Sequence, residues 1–381
     1  MGSLRLTRFT KINILKRIGR KLLDQFLCNF EKELASKNIT LPNPTLNDDQ
    51  YFKELASLFL SPGNLPEEIA EALHSIGEIA SEHGQERLQD AIKEKGLNIV
   101  FNEDSSHEDI AMQVWLQDQK LFTEKYNEER LLKLSSFEYY PSIEKKKPSS
   151  FKLPDQNTLN KFIEALDEWF ADRNRGKGNT RVEPYLIENE YWFLIRHGDS
   201  INRTPKIENQ ETHIMHYRPE KDDVLVYNPE LNEIRINAGT KGERRLYRKM
   251  FGFHLFGRED YFSEQVIYTL EPLRELGKDA LDVDGIQGIV IIKLTEIEIF
   301  KRGVLQLIEI KKAKDIFGLK FPIAASGKIS RAAFEVTFEK SSKPRKVQIR
   351  EPNILKLGRH CDANKVNFWI SKCGFRVHAT A

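Results

Sequence analysis

Two hydrophobic periods divide the chain. Up to about residue 174 the apolar positions recur at helical spacing, and from about 182 they move toward the alternation of strands. Ile14, Leu15, Ile18, Leu22, Phe26 and Phe30 make one stripe, with Lys16, Arg17, Arg20 and Lys21 on the opposite face. Such a basic amphipathic start also fits a transit peptide or a membrane-surface helix. The stripe runs on past the basic stretch to Phe30, which favours the first helix of a bundle. Further helices are predicted after Asp48-Asp49, from Pro66, after Gly84 up to the cap glycine Gly96, and from Ser106 to about residue 134. His74, His83 and His107 are scattered through this region and read as surface residues.

Proline, serine and a lysine run fill 141–154 (PSIEKKKPSSFKLP), which is linker chemistry. The chain is therefore read as a helical domain over 1–142, a linker over 143–154 and a second domain over 155–381. That domain opens with a helix, TLNKFIEALDEWFADRN, and continues with RVEPYLIE and YWFLIRH as strands. HIMHYR, DVLVYN and EIRINA follow, joined by connections of about four residues that suit antiparallel hairpins. KGERRLYRKMFGFHLFG is a helix, IVIIKLTEIEIF and VLQLIEIKK a hairpin, and AAFEVTFE and RKVQIR two more strands. A last helix is capped by Asp362 and buries Val366, Trp369, Ile370 and Cys373. The fold class is α+β: an all-helical first domain, then a mixed, mainly antiparallel domain with a C-terminal helix.

Composition adds limits rather than a reaction. Hydrophobic residues make up 40% and charged residues 30% of the 381 positions, as in ordinary globular chains. No apolar run approaches the roughly 18 residues of a membrane span. Cys28, Cys361 and Cys373 have neither zinc-ligand spacing nor the number for a disulfide scaffold, so a reducing, cytoplasmic setting is expected. Charge is more informative. The net +2 resolves into +7 over residues 1–23, −15 over 24–240 and +10 over 241–381. A basic C-terminal part favours polyanions, and an acidic helical part favours a different partner.

Within YWFLIRH, the stretch LIRHGDSIN resembles the signature strand of the histidine phosphatase (phosphoglycerate mutase-like) superfamily. The resemblance implies His197 as the nucleophile that takes a phosphoryl group, Arg196 as the holder of its oxygens, and Gly198 as the gap that lets phosphate approach the backbone. It covers about twelve residues, WFLIRHGDSINR. The second histidine of that family has no counterpart in context among His213, His216, His254, His360 and His378. A polar, proline-broken segment, DSINRTPKIENQET, also stands where the family places a helix. The reading is therefore a buried strand whose Arg196 and His197 mark its exit to solvent.

Glu309-Ile310-Lys311 resembles the Glu-x-Lys strand of restriction-type nucleases. That implies magnesium held by Glu309 and an aspartate of the partner strand, with Lys311 assisting a water. A Lys301-Arg302-Gly303 turn pairs Thr295 with Glu309 and leaves Asp284 on the order of 30 Å away. Lys293 then lies diagonal to Glu309 as a plain ion-pair partner. Magnesium is expected only on this alternative, and no other cofactor. His213 and His216, three apart on a strand, point to opposite faces and make a poor metal pair.

Two cationic clusters remain. Lys241, Arg244, Arg245, Arg248 and Lys249 share one side of the 240–257 helix, against Glu243 alone; Lys340, Lys343, Arg345, Lys346 and Arg350 precede the last helix. Such clusters suit phosphate-backbone contact. The expectation is a nucleic-acid-binding protein, with DNA the favoured ligand. It would be a non-catalytic subunit of a larger intracellular assembly such as a bacterial defence system, with a protein partner on the acidic helical domain. The alternative is a phosphoester hydrolase using Glu309 and Lys311, or His197.

Overall fold

The computed structural model describes residues 6–60, 63, 65–99, 101, 105–144, 151–208, 210–302, 306–319, 323, 327–339, 341, 343–359 and 362–377. The chain divides into two compact units, Met1–Arg130 and Leu131–Ala381. The division thus falls before the boundary expected at 142, because the residues leading into the linker form a strand of the second unit.

The first unit holds Ile12–Ile18 (α1), Arg20–Cys28 (α2), Glu31–Ser36 (α3), Asp48–Phe59 (α4), Glu67–Ile79 (α5), Glu82–Lys95 (α6) and His107–Gln117 (α7); Gln119–Lys133 (α8) carries the chain through the division. The stripe from Ile14 to Phe30 is shared among α1, α2 and the N-cap of α3, broken at Gly19, instead of running along one helix. The helix expected from 107 to about 134 is likewise two. Asp118 leaves helical geometry at φ −149°, and its carboxylate accepts from the Leu121 N–H at 2.9 Å.

Gly84 does not interrupt a helix but lies in the first turn of α6, where its N–H donates to the Ser81 hydroxyl at 3.1 Å. A Cβ there would sit 1.9 Å from the carbonyl oxygen of Ile79. Gly84→Ala is expected to destabilise the first unit by about 1–3 kcal/mol through this overlap. An unchanged denaturation midpoint would contradict the close approach.

In the second unit the elements are Ser136–Pro141 (β1), Gln156–Ala171 (α9), Arg181–Ile187 (β2), Glu190–Gly198 (β3), Asn202–Glu208 (β4), Glu211–Tyr217 (β5), Glu220–Asn228 (β6), Glu233–Asn237 (β7), Lys241–Phe256 (α10), Pro272–Glu275 (α11), Ile289–Arg302 (β8), Gln306–Lys312 (β9), Lys328–Phe338 (β10), Arg345–Arg350 (β11), Ile354–Lys356 (β12) and Ala363–Lys372 (α12). Ten strands form one sheet in the order β2-β3-β6-β7-β1-β12-β11-β10-β8-β9, with antiparallel pairing throughout, which establishes the α+β class. The remaining pair, β4 and β5, is a separate ribbon. HIMHYR therefore pairs with the segment read as a polar loop, and not with DVLVYN. A two-stranded ribbon tolerates Pro205 because each strand has a free edge.

Alternate residues of the sheet feed two cores. Phe193, Ile195, Leu225, Tyr227 and Ile236 pack with Phe162, Leu166 and Phe170 of α9 and with Tyr247 and Phe251 of α10. Trp192, Leu194, Val224 and Val226 belong to the opposite core, which continues through β10 and β11 to Trp369 of α12. Val366, Trp369 and Ile370 are buried as the stripe of α12 predicts, while Cys373 is half-buried. Asp362 makes no side-chain cap; its carboxylate takes Arg345 at 3.3 Å and Lys365 at 3.0 Å.

Candidate functional site

Strand β3 is buried as expected, but its Arg-His end does not exit to solvent. His197 is 1% exposed and its ring stacks on Phe170 with centroids 4.0 Å apart. Nδ1 donates to the Gly198 carbonyl at 2.9 Å, and Nε2 lies 3.1 Å from Asp223 Oδ2. The Tyr247 hydroxyl donates to the same Oδ2 at 2.8 Å, and burial together with the Asp223 charge pushes that phenol well above its ordinary pKa. Arg196 lies among carboxylates, Glu183 at 2.8 Å and Asp222 at 3.4 Å. A phosphoryl acceptor needs an exposed nitrogen with a free lone pair, and His197 has neither.

Gly198 has a structural reason as well. A Cβ there would meet the Arg218 side chain at 2.4 Å and the Arg175 carbonyl oxygen at 2.5 Å, so the gap that the resemblance assigns to phosphate is filled by the protein itself. Arg218 crosses this gap and donates to the carbonyls of Asn174 and Asp199 at 2.8 and 2.6 Å.

Beside this network, Thr240 and Glu243 close a capping box at the start of α10. The fully buried Glu243 also accepts from Arg175 and, at 2.9 Å, from Lys221. Burial pushes its carboxyl up, but these donors and the Thr240 amide outweigh burial and hold the pKa at about 2. His197, Asp223 and Glu243 place one ligand-type atom each within 4.8 Å of one another. Arg175 and Lys221 already bring the positive charge that a divalent ion would supply, so the cluster reads as a structural network.

Glu309 is flanked by lysines. It pairs with Lys301 at 2.8 Å and Lys311 at 3.2 Å, and these hold its carboxyl below the usual range. The hairpin register also differs from the expected one. Ile299 faces Glu309 and Ile297 faces Lys311, because β8 and β9 run to Arg302 and Gln306; the connection, 303–305, lies outside the described residues. Lys301 thus takes the place expected for Lys293. Glu309 belongs to no cluster of three metal-ligating groups among the described residues. His213 and His216 sit on β5, and His213 lies 4.0 Å from the Glu211 carboxylate.

The α10 cations are largely neutralised. Arg244 pairs with Glu138 at 2.8 Å, Arg248 with Glu264 at 2.7 Å and Lys249 with Glu259 at 2.9 Å, leaving Lys241 and Arg245 exposed. In the second cluster Arg345 turns to Asp362, and Lys340 lies outside the described residues. Lys343, Lys346 and Arg350 are exposed. Arg350 pairs with Ile354 and Arg331, and Gln348 with Lys356 and Ala333, which places Lys346, Arg350 and Lys356 on one face of the sheet. The Glu138–Ile354 and Glu138–Ile236 pairings make this the face that α9 and α10 cover in the other half of the sheet.

The chain matches no protein-family model and no curated protein.

One further site was missed by the motif reading. At the end of the sheet where β2–β3 and β6–β7 turn, a cleft of about 640 Å³ opens beside α12. Its wall carries Arg235, 3% exposed, which grips both carboxylate oxygens of Glu190, one of them at 2.6 Å. Burial pushes Glu190 up, yet Arg235 prevails and holds it below the usual range. Glu233, also buried, is pushed up by desolvation despite its pairing with Arg376. Arg359 reaches the Tyr139 hydroxyl. The available signal was Arg235 itself, a charge at an inward position of the apolar strand EIRIN.

Proposed function

We propose that the protein binds the phosphate backbone of nucleic acid through the face of β8, β10, β11 and β12, and that it works by binding rather than by hydrolysis. One observation carries this reading. Lys346, Arg350 and Lys356 share one sheet face and stand exposed; Arg350 and Lys356 are in no ion pair with a described residue, and Lys346 acts on Glu296 only from beyond ion-pair distance. Farther along the same face, Lys312, Arg331, Glu296 and Glu298 neutralise one another, with Arg331 at 2.5 Å from Glu296 and Lys312 at 3.2 Å. Lys343, at the turn before β11, extends the cationic edge. Among the described residues the face carries exposed cations and no row of exposed aromatic rings, which supports backbone contact over base stacking. The −15 charge of residues 24–240 supports a separate, basic protein partner for the acidic part, as in a complex subunit.

Shift assays with DNA and RNA across a salt series test the reading. Reversing Lys346, Arg350 and Lys356 together to glutamate is expected to lower affinity at least about tenfold and to flatten the salt slope by about 3, close to one unit per lost phosphate contact. Reversing Arg244 and Arg248, which are already paired, should change the slope far less. An unchanged slope in the sheet-face triple would sink the proposal.

A further inference from the structure

We infer that the outer edge of β9 pairs with the same edge of a second copy of this chain, antiparallel and centred on Ile310. The inference does not depend on the nucleic-acid reading above. β9 ends the ten-stranded sheet and pairs with β8 alone among the described residues. The direction of its backbone groups follows from β8. The Glu298 carbonyl is turned toward β10, where it accepts from the Ser330 hydroxyl at 3.3 Å, so Ile297 and Ile299 turn toward β9. Their opposites, Lys311 and Glu309, are therefore the residues that bond to β8. The Ala313 N–H, which donates to the Thr295 carbonyl at 3.0 Å, follows the same alternation. Ile308, Ile310 and Lys312 thus aim their N–H and C=O groups away from the sheet.

The side chains of this edge are apolar and open. Leu307, Ile308 and Ile310 are 57%, 62% and 50% exposed. Proteins guard sheet edges with residues such as proline, and Pro184 does so on β2 at the other end of the sheet. Charge selects both the occupant and the register. A two-fold axis at Ile310 sets Ile310 against the partner's Ile310, and Glu309 against the partner's Lys311 on each side of the axis. Ile308 then faces the partner's Lys312. Within its own chain Lys312 has Glu296 at 3.2 Å, so its aliphatic stem is left to lie along the isoleucine. An axis at Glu309 would oppose two glutamates, and one at Lys311 two lysines, and like charges directly opposite are unfavourable. An axis at Ile308 would set Glu309 against the partner's Leu307. The two-fold at Ile310 stands perpendicular to the sheet, so the same face of both copies lies on one side. Through the pairs Ile310–Glu298, Glu298–Arg331 and Arg331–Arg350, that is the face carrying Arg350.

The test is sedimentation velocity of the full chain from about 1 to 100 µM, a range suited to a small interface. A concentration-dependent monomer–dimer equilibrium is expected. Glu309→Lys alone, or Lys311→Glu alone, should raise the dissociation constant at least about tenfold by setting like charges across the axis. The two together restore opposite charges and should bring the dimer back. Ile310→Pro removes an outward N–H that β8 does not use, so it should abolish the dimer and leave the far-UV spectrum unchanged. A chain that stays monomeric across the range overturns the inference. So does a dimer that survives Ile310→Pro, or a charge exchange that fails to restore what each single reversal removed.

Discussion

Replacing Glu243 with alanine is expected to destabilise the second unit by about 3–5 kcal/mol, the usual penalty for breaking a buried charge cluster by removing one partner. Three contacts go at once. Arg175 and Lys221 lose the carboxylate between them, and the Thr240 amide loses its acceptor, so α10 also loses half of its capping box. Glu243→Gln keeps the shape and should be milder. The pH dependence separates charge from shape. The folded pKa of about 2 lies below the ordinary carboxylate value, so the charged form is the stabilising one. Its contribution is complete above about pH 4.5 and fades as pH falls toward 2, an effect on the order of 3 kcal/mol. Urea midpoints of the wild type and Glu243→Gln should therefore differ at pH 7 and converge near pH 2. Parallel curves across that range would contradict the assigned charge.

Arg235→Leu should be comparably damaging, again about 3–5 kcal/mol, because Glu190 is left in a desolvated position with its bidentate partner gone. The informative variant is the double one. Arg235→Leu with Glu190→Leu removes both charges, and should recover part of the loss. A coupling energy of about 1–3 kcal/mol in the double-mutant cycle is the expected result. Simple additivity would mean that the pair does not act as a pair.

The architecture was largely legible, and the reasons differ by element. Alternation in EIRIN and RKVQIR and the short apolar run of DVLVYN, with short polar connections, are enough to specify antiparallel strands. SFEYYP was passed over because it abuts the linker-like stretch, yet as β1 it joins the two halves of the sheet through β7 and β12. Asn202–Glu208 was read as loop because of Pro205. Side-chain chemistry was less legible, since it depends on pairs far apart in sequence. The basic side of α10 appeared free because Glu138 is about a hundred positions away, and Glu259 and Glu264 lie beyond the end of the helix. The motif at His197 has the residue types of a phosphate site, but two helices bury it, and their packing cannot be read from twelve residues.

Strand β3 carries large apolar side chains on both faces, Trp192 and Leu194 on one and Phe193 and Ile195 on the other. A slide of one residue would exchange one oily set for the other, so hydrophobicity alone is a poor guide to alignment here. What cannot slide are the ends. Glu190 reaches Arg235 at the start, while Arg196 meets Asp222 and His197 meets Asp223 at the finish. The Arg-His pair thus acts like a vernier mark: it tells an otherwise ambiguous strand where to stop.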